Sequence, residues 1–187
     1  MSLAAIQKKA RAKPSIVIIY GPSGLGKTTL AVGSKNPVVL QTEEGLGILT
    51  NNRDIPHFPL SKDYDTFHGY LKSLVDADEL EYNTLVIDSL DWLEPLIHAK
   101  TCEAHKQPSI ESFGYGRGYA EALKYWREVL DLVNILRNEK KMRIVMIAHN
   151  QIKAFHDPST EAYDRHELKM HKAASALVLE ASDMCLF

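Results

Sequence analysis

Gly21-Pro22-Ser23-Gly24-Leu25-Gly26-Lys27-Thr28 meets the pattern G-x-x-x-x-G-K-[ST] at every defined position. Glycines in such a run keep side chains away from backbone N–H groups, which can then converge on phosphate oxygens, and the helix expected next adds partial positive charge at its start. Lys27 is expected on the β- and γ-phosphates of a nucleotide such as ATP. Thr28 would set its hydroxyl on Mg2+, an ion that retains most of its waters and takes few protein ligands. The expected nucleotide contacts therefore run from Gly21 to Thr29. A glycine-rich turn without a ligand would have a similar composition. The β-branched run before the loop and the amphipathic start Lys27-Thr28-Thr29-Leu30-Ala31 behind it favour the phosphate reading.

Thr84-Leu85-Val86-Ile87-Asp88 is an apolar run ending in a carboxylate, the form of a Walker B segment whose aspartate holds magnesium through water. Asp88 is accordingly the expected residue on the magnesium side; capping of the next helix is its structural alternative. Val38-Val39-Leu40-Gln41-Thr42-Glu43-Glu44-Gly45 places two adjacent carboxylates at the end of another apolar run. Either could orient or deprotonate a water attacking the γ-phosphate, and an exposed turn would tolerate both. His149-Asn150-Gln151, after Ile144 to Ala148, are polar groups able to sense a γ-phosphate by hydrogen bonding or simply to form a turn. His98, Cys102 and His105 fall at i, i+4 and i+7, so a zinc site is conceivable on one helical face, but a fourth ligand is not apparent.

Those groups need strands and helices to hold them. Ser15 to Tyr20, Val38 to Gln41, Leu85 to Ile87, Ile144 to Ile147 and Met184 to Phe187 read as short buried strands. Between them, Phe67, Leu71, Leu74 and Val75 share one helical face, as do Tyr119, Leu123, Trp126, Leu130 and Val133. Alternating strands and helices predict an α/β fold with a parallel sheet, right-handed crossovers and ligand at the carboxyl ends of the strands. Pro95 predicts a late start or a kink in the helix after Asp88. Lys106 to Gly118, with three glycines around Tyr115, reads as a mobile loop, and Phe155 to His171 as polar and irregular.

The 187 residues suit one domain, and a formal charge of −2 excludes a globally basic surface, so nucleic-acid binding would need local patches. Two isolated cysteines suit a reducing compartment. No apolar run approaches the roughly 20 residues of a membrane helix, and Met1 to Ile6 is too short for a signal peptide. Lys8, Lys9, Arg11 and Lys13 form a basic leader, read as a solvated tail rather than a phosphate contact.

In order, the Walker A loop, Gln-Thr-Glu-Glu-Gly, Leu-Val-Ile-Asp-Ser and Ile-Ala-His-Asn-Gln-Ile resemble the RecA-like ATPases, including RadA and KaiC relatives. The sequence is similar, more closely, to small phage-encoded ATPases of the AAA-type phage nucleotide-binding family, some members of which anneal single strands. The resemblance implies a three-layer P-loop fold with strand order 5-1-4-3-2, a leader over residues 1–14 and a single domain over 15–187. It implies Glu43 as the water-activating residue, with Glu44 as substitute if the register slips, and Gln151 as the link from γ-phosphate to a DNA-facing loop. By position, the two DNA-facing loops are Lys106 to Gly118 and Lys153 to Lys172, with Phe113, Tyr115 and Tyr119 as stacking candidates. The second loop carries as many acidic as basic residues, so its charge count alone does not argue for phosphate binding. The resemblance further implies a homo-oligomer in the cytoplasm of a bacterial cell or phage-infected host, acting in recombination, annealing or repair. A trans-acting Lys or Arg often follows the fifth strand in the family, so the expectation is a shortened chain in which that finger cannot be located. Two other classes fit the loop itself: a small-molecule P-loop kinase, though no arginine-rich lid is visible after the fourth strand, and a nucleotide-dependent partner binder that does not hydrolyse.

Overall fold

The computed structural model describes residues 13–47, 54–155 and 161–187; the leader up to residue 12 and Asp157 lie outside the described residues. Five strands run parallel in the order β2-β3-β4-β1-β6, where β1 is Ile16–Gly21, β2 Pro37–Gln41, β3 Thr84–Asp88, β4 Arg143–Phe155 and β6 Met184–Leu186. Counting β6 as the fifth strand of the core, this is the RecA-like 5-1-4-3-2 order that the resemblance implies.

Both sheet faces are buried, and the strands divide their side chains with a period of two. Ile16, Ile18, Val38, Leu40, Leu85, Ile87, Ile144 and Met146 point to one core. Val39, Val86, Val145 and Ile147 point to the other. The first core is covered by α2 (Tyr64–Asp76), α3 (Leu90–Ala104), α4 (Arg117–Asn138) and α5 (Lys172–Ala181), through residues such as Phe67, Leu71, Leu93, Trp126, Val133 and Val178. The second is closed by Ala31 and Val32 of the short α1 (Lys27–Val32) together with Leu46 and Ile55. The layers are therefore helix, sheet, helix.

At the far edge, Asp183 fixes the entry to β6. It accepts the Ile16 N–H at 2.8 Å and both its oxygens receive the Arg137 guanidinium at 2.7 and 2.8 Å, while Arg137 Nε donates to the Pro14 carbonyl.

Three expectations change. Part of the segment read as irregular, Phe155 to His171, is paired strand: β4 continues to Phe155, and β5 (Tyr163–Leu168) forms an antiparallel hairpin pairing with it from Asn150↔Leu168 to Phe155↔Tyr163. Beyond His149 the strand leaves the core and turns exposed, so backbone pairing holds it and no apolar alternation announces it. The helix after Asp88 starts at once, at Leu90, and runs through Pro95, which costs it a single backbone donor. The segment read as a mobile loop contains a 3-10 turn, Ile110–Phe113, whose Ile110 carbonyl lies too close to Gly118 for a methyl group. That glycine lets the turn lie on the first residues of α4.

Candidate nucleotide-binding site

Parallel register gathers the polar strand ends at one edge of the sheet. Gly21 is level with His149, Gln41 with Asp88, and Asp88 with Ile147. The chain leaves β1 as the loop expected to bind phosphate, leaves β2 through Thr42 and Glu43, and leaves β3 through Ser89; the Asp88–Ser89 peptide is cis. A cleft of about 420 Å³ opens there, walled by Ser23, Gly24 and Gly26 to Thr29 on one side and by Glu43, Glu44, Asp88 and His149 on the other.

Gly24 and Gly26 adopt φ of 80° and 88°, the left-handed region where a Cβ is disfavoured, and open space surrounds both positions. α1 is only six residues long, so the loop's own N–H groups, more than a long helix dipole, are what the backbone offers an anion. Lys27 is buried, and its ammonium donates to the carbonyls of Gly21 and Pro22 at 3.0 and 2.8 Å. Burial pushes the Lys27 pKa down, while Asp88, Asp91 and Glu43 pull it back up. The lysine is thus a cation poorly solvated by water and facing a cleft with excess carboxylate.

Thr28 Oγ1 donates to Asp88 Oδ2 at 2.8 Å, which joins the two residues expected on the magnesium side. Asp88 is 3% exposed. Burial raises its pKa, and the Thr28 hydroxyl, His149 and Lys27 oppose that rise. Glu43 is half-buried and its pKa is also raised, first by burial and then by the Asp88 and Asp91 charges. Glu44 is exposed on the cleft rim. The buried Asp88 and the half-buried Glu43 beside a threonine hydroxyl form a hard, oxygen-only donor set that suits Mg2+ with its waters. Among the described residues, no three His, Cys, Asp or Glu side chains converge as a metal cluster; His98 instead meets Tyr119 edge-on, and His105 meets Phe113.

Several site residues were not singled out by the sequence reading. Thr42 N donates to the Asp88 carbonyl at 2.7 Å; its hydroxyl donates to the Ser89 carbonyl at 2.7 Å and accepts the Ser89 N–H at 2.9 Å. This cross-link fixes Glu43 against Asp88. Asp91 accepts the His149 N–H at 2.9 Å and holds its ring Nδ1 at 3.0 Å. A carboxylate only accepts, so Nδ1 carries the hydrogen and Nε2 is the nitrogen left for the cleft. Gln151 lies elsewhere: its amide donates to the carbonyls of Leu168 and Met170, beside the hairpin, and it does not line the cleft. The Asp-Ser-Leu-Asp run in the sequence, with acids three apart at a helix start, was the available signal for Asp91.

A family profile described as an AAA domain matches residues 13–187. The SPbeta prophage-derived uncharacterized protein YorG of Bacillus subtilis (strain 168) is 23% identical over 176 residues, covering 92% of this chain and 50% of that protein. The chain thus spans about half the length of the curated relative it matches. A crystal structure of the RadB recombinase matches with a TM-score of 0.48 and 18% identity, over 80% of this chain and 66% of that one.

The raised carboxylate pKa values set a sign. Each group favours the folded state most below the ordinary carboxylate range, and that contribution is lost as pH rises through the raised value. Asp88→Asn is therefore expected to stabilise the ligand-free protein at neutral pH by about 0.5–2 kcal/mol, with a gain that shrinks toward pH 4 in thermal melts. Thr42→Val should act oppositely. It orphans the buried Ser89 N–H and is expected to cost about 1–3 kcal/mol in urea denaturation.

Proposed function

The chain belongs to the AAA-domain family, and from that premise we propose that it binds ATP with Mg2+, hydrolyses it, and couples hydrolysis to single-stranded DNA in recombination, annealing or repair. The observation carrying this reading is the convergence of Lys27, Thr28, Asp88 and Glu43 on one cleft, with Thr28 already hydrogen-bonded to Asp88. On binding, the Lys27 ammonium exchanges two backbone carbonyls for phosphate oxygens, a stronger, charge-assisted interaction. Thr28 and Asp88 would hold magnesium, which supplies neutralisation of the charge developing on the phosphate oxygens. Glu43 orients the attacking water and takes its proton. Burial has already moved its basicity upward, toward the range in which a general base is effective. His149 addresses the same cleft through Nε2, and Gln151 ties the strand beyond it to the hairpin.

The DNA half of the proposal draws on where the charges lie. A second cleft of about 460 Å³ sits between the hairpin and α5, and Lys153, Arg165 and Lys172 face it against a single carboxylate, Glu167. Aromatic rings stand beside this cluster: Arg165 lies 4.5 Å from the Phe155 ring, and Phe155 and Tyr163 are 5.4 Å apart on the outer end of the hairpin. Tyr115 is fully exposed at φ 50° between two left-handed glycines. Cations with exposed aromatic faces are the surface that single strands use. Homo-oligomeric assembly and a cytoplasmic setting in a bacterium or phage-infected host belong to the same reading. Among the described residues, no helix is long and apolar enough to cross a membrane.

ATPase assays with and without single-stranded DNA test the reading. Lys27→Ala should abolish nucleotide binding, whereas Glu43→Gln should bind ATP and lose about 10²–10⁴-fold in turnover. Full turnover in Glu43→Gln would transfer the role to Glu44, and turnover indifferent to DNA would favour a phosphoryl acceptor other than water. Arg165→Ala is expected to weaken oligonucleotide binding across sequences and to lower the salt slope by about 1 in a fluorescence-anisotropy titration.

A further inference from the structure

Asp91, Glu94 and His98 stand at i, i+3 and i+7 on α3 and so share one helical face. Each reaches a different part of the molecule. Asp91 holds His149 in the nucleotide cleft through the backbone and the ring. One turn later, both oxygens of the buried Glu94 accept the His171 N–H at 3.0 and 2.9 Å, at the junction between hairpin and α5. Farther along, His98 meets the Tyr119 ring edge-on at 5.3 Å, and Tyr119 lies flat on the His171 ring at 4.0 Å with an interplanar angle of 3°. The Tyr119 hydroxyl donates to Glu111 in the 3-10 turn. A buried carboxylate holding one backbone N–H is a costly tether, since an apolar side chain would pack there without a desolvation penalty. What it contributes is a fixed position for the start of α5.

We propose that α3 couples the nucleotide cleft to the hairpin and the 106–118 loop as a single rigid element, with Asp91 and Glu94 as positioning residues and the His98–Tyr119–His171 stack as the clamp. This rests on the reading of the cleft and loops given above. α3 begins two residues after Asp88, so a shift of Asp88 or His149 on nucleotide exchange is carried by the helix to Glu94 and His98 together. The two loops then move in concert. Gln151 supplies the second tie, from β4 to the carbonyls of Leu168 and Met170. Coupling of this kind is reciprocal: DNA tightens nucleotide by the factor with which nucleotide tightens DNA.

The test is the affinity of a fluorescent ATP analogue, with and without a single-stranded oligonucleotide, for the wild type and for Glu94→Gln, Tyr119→Leu and Tyr119→Phe. Wild type is expected to show coupling of about 5- to 150-fold. Glu94→Gln and Tyr119→Leu should reduce it to within about twofold of none, and with Glu94→Gln each ligand alone binds as in wild type. Tyr119→Phe keeps the stack and should retain the coupling. Coupling undiminished in Glu94→Gln and Tyr119→Leu would overturn the α3 route and leave the DNA-coupled ATPase reading standing. A wild type that binds no oligonucleotide would overturn that reading itself. If Glu94→Gln fails to give a cooperative thermal melt, Tyr119→Leu, at a partly exposed position, decides alone.

Discussion

Every polar group at the site depends on the register of β4. Its first half is hydrogen-bonded to β1 and β3 as a core strand, and its second half pairs with β5 outside the core. Because side chains alternate with a period of two, a slip of one residue would exchange Ile144, Met146 and Ala148 with Val145 and Ile147 between the two cores. It would also move His149 out of level with Gly21, and Asp88 out of level with Ile147. The hydrophobic packing that fixes the register thus fixes the spacing between the glycine-rich loop, Asp88 and His149. The same strand then carries Gln151 and Lys153 into the hairpin, so the two clefts share one backbone.

The fold accepts destabilising chemistry at that edge. Asp88 and Glu43 have pKa values raised first by burial, and Lys27 has one lowered by it. A packed core of apolar residues would be more stable in the same places. Thr28 offsets part of the cost with a hydroxyl that donates to Asp88. A divalent cation and a polyphosphate would offset the rest, since each brings the charge that the other's side of the cleft lacks. Stability and ligand affinity are therefore linked at this site, with the sign set by burial.

The sheet was legible in the sequence because it is buried on both faces. Continuous β-branched runs such as Ile16 to Ile19 and Leu85 to Ile87 leave little choice of structure, and the phosphate loop announces itself by glycines at fixed spacing. Asp88 and Glu43 were found because they end such runs. The hairpin was not legible: β5 reads Tyr-Asp-Arg-His-Glu-Leu, exposed along most of its length, and its pairing partner is the polar tail of another strand. Thr42, Asp91 and Glu94 were missed for a related reason. Thr42 and Glu94 act through backbone groups distant in sequence that no local pattern records, whereas for Asp91 the acidic helix start was visible but its partner, His149, was not.

Charge illustrates the limit of counting most clearly. Between residues 153 and 172 the basic and acidic side chains balance, so composition gives no reason to expect an anion there. Antiparallel pairing sorts them. Lys153 is opposite Arg165 in the β4–β5 register, and both line the same cleft with Lys172. Asp164 falls opposite Ala154, one residue out of phase with that pair, and does not line the cleft. Glu167 alone joins the cations, within 3.8 Å of Lys153 and bonded to Arg165, which orients the guanidinium without cancelling the cluster. A neutral segment thereby presents a positive face, with Lys153, Arg165 and Lys172 on the cleft against one carboxylate and Asp164 outside it.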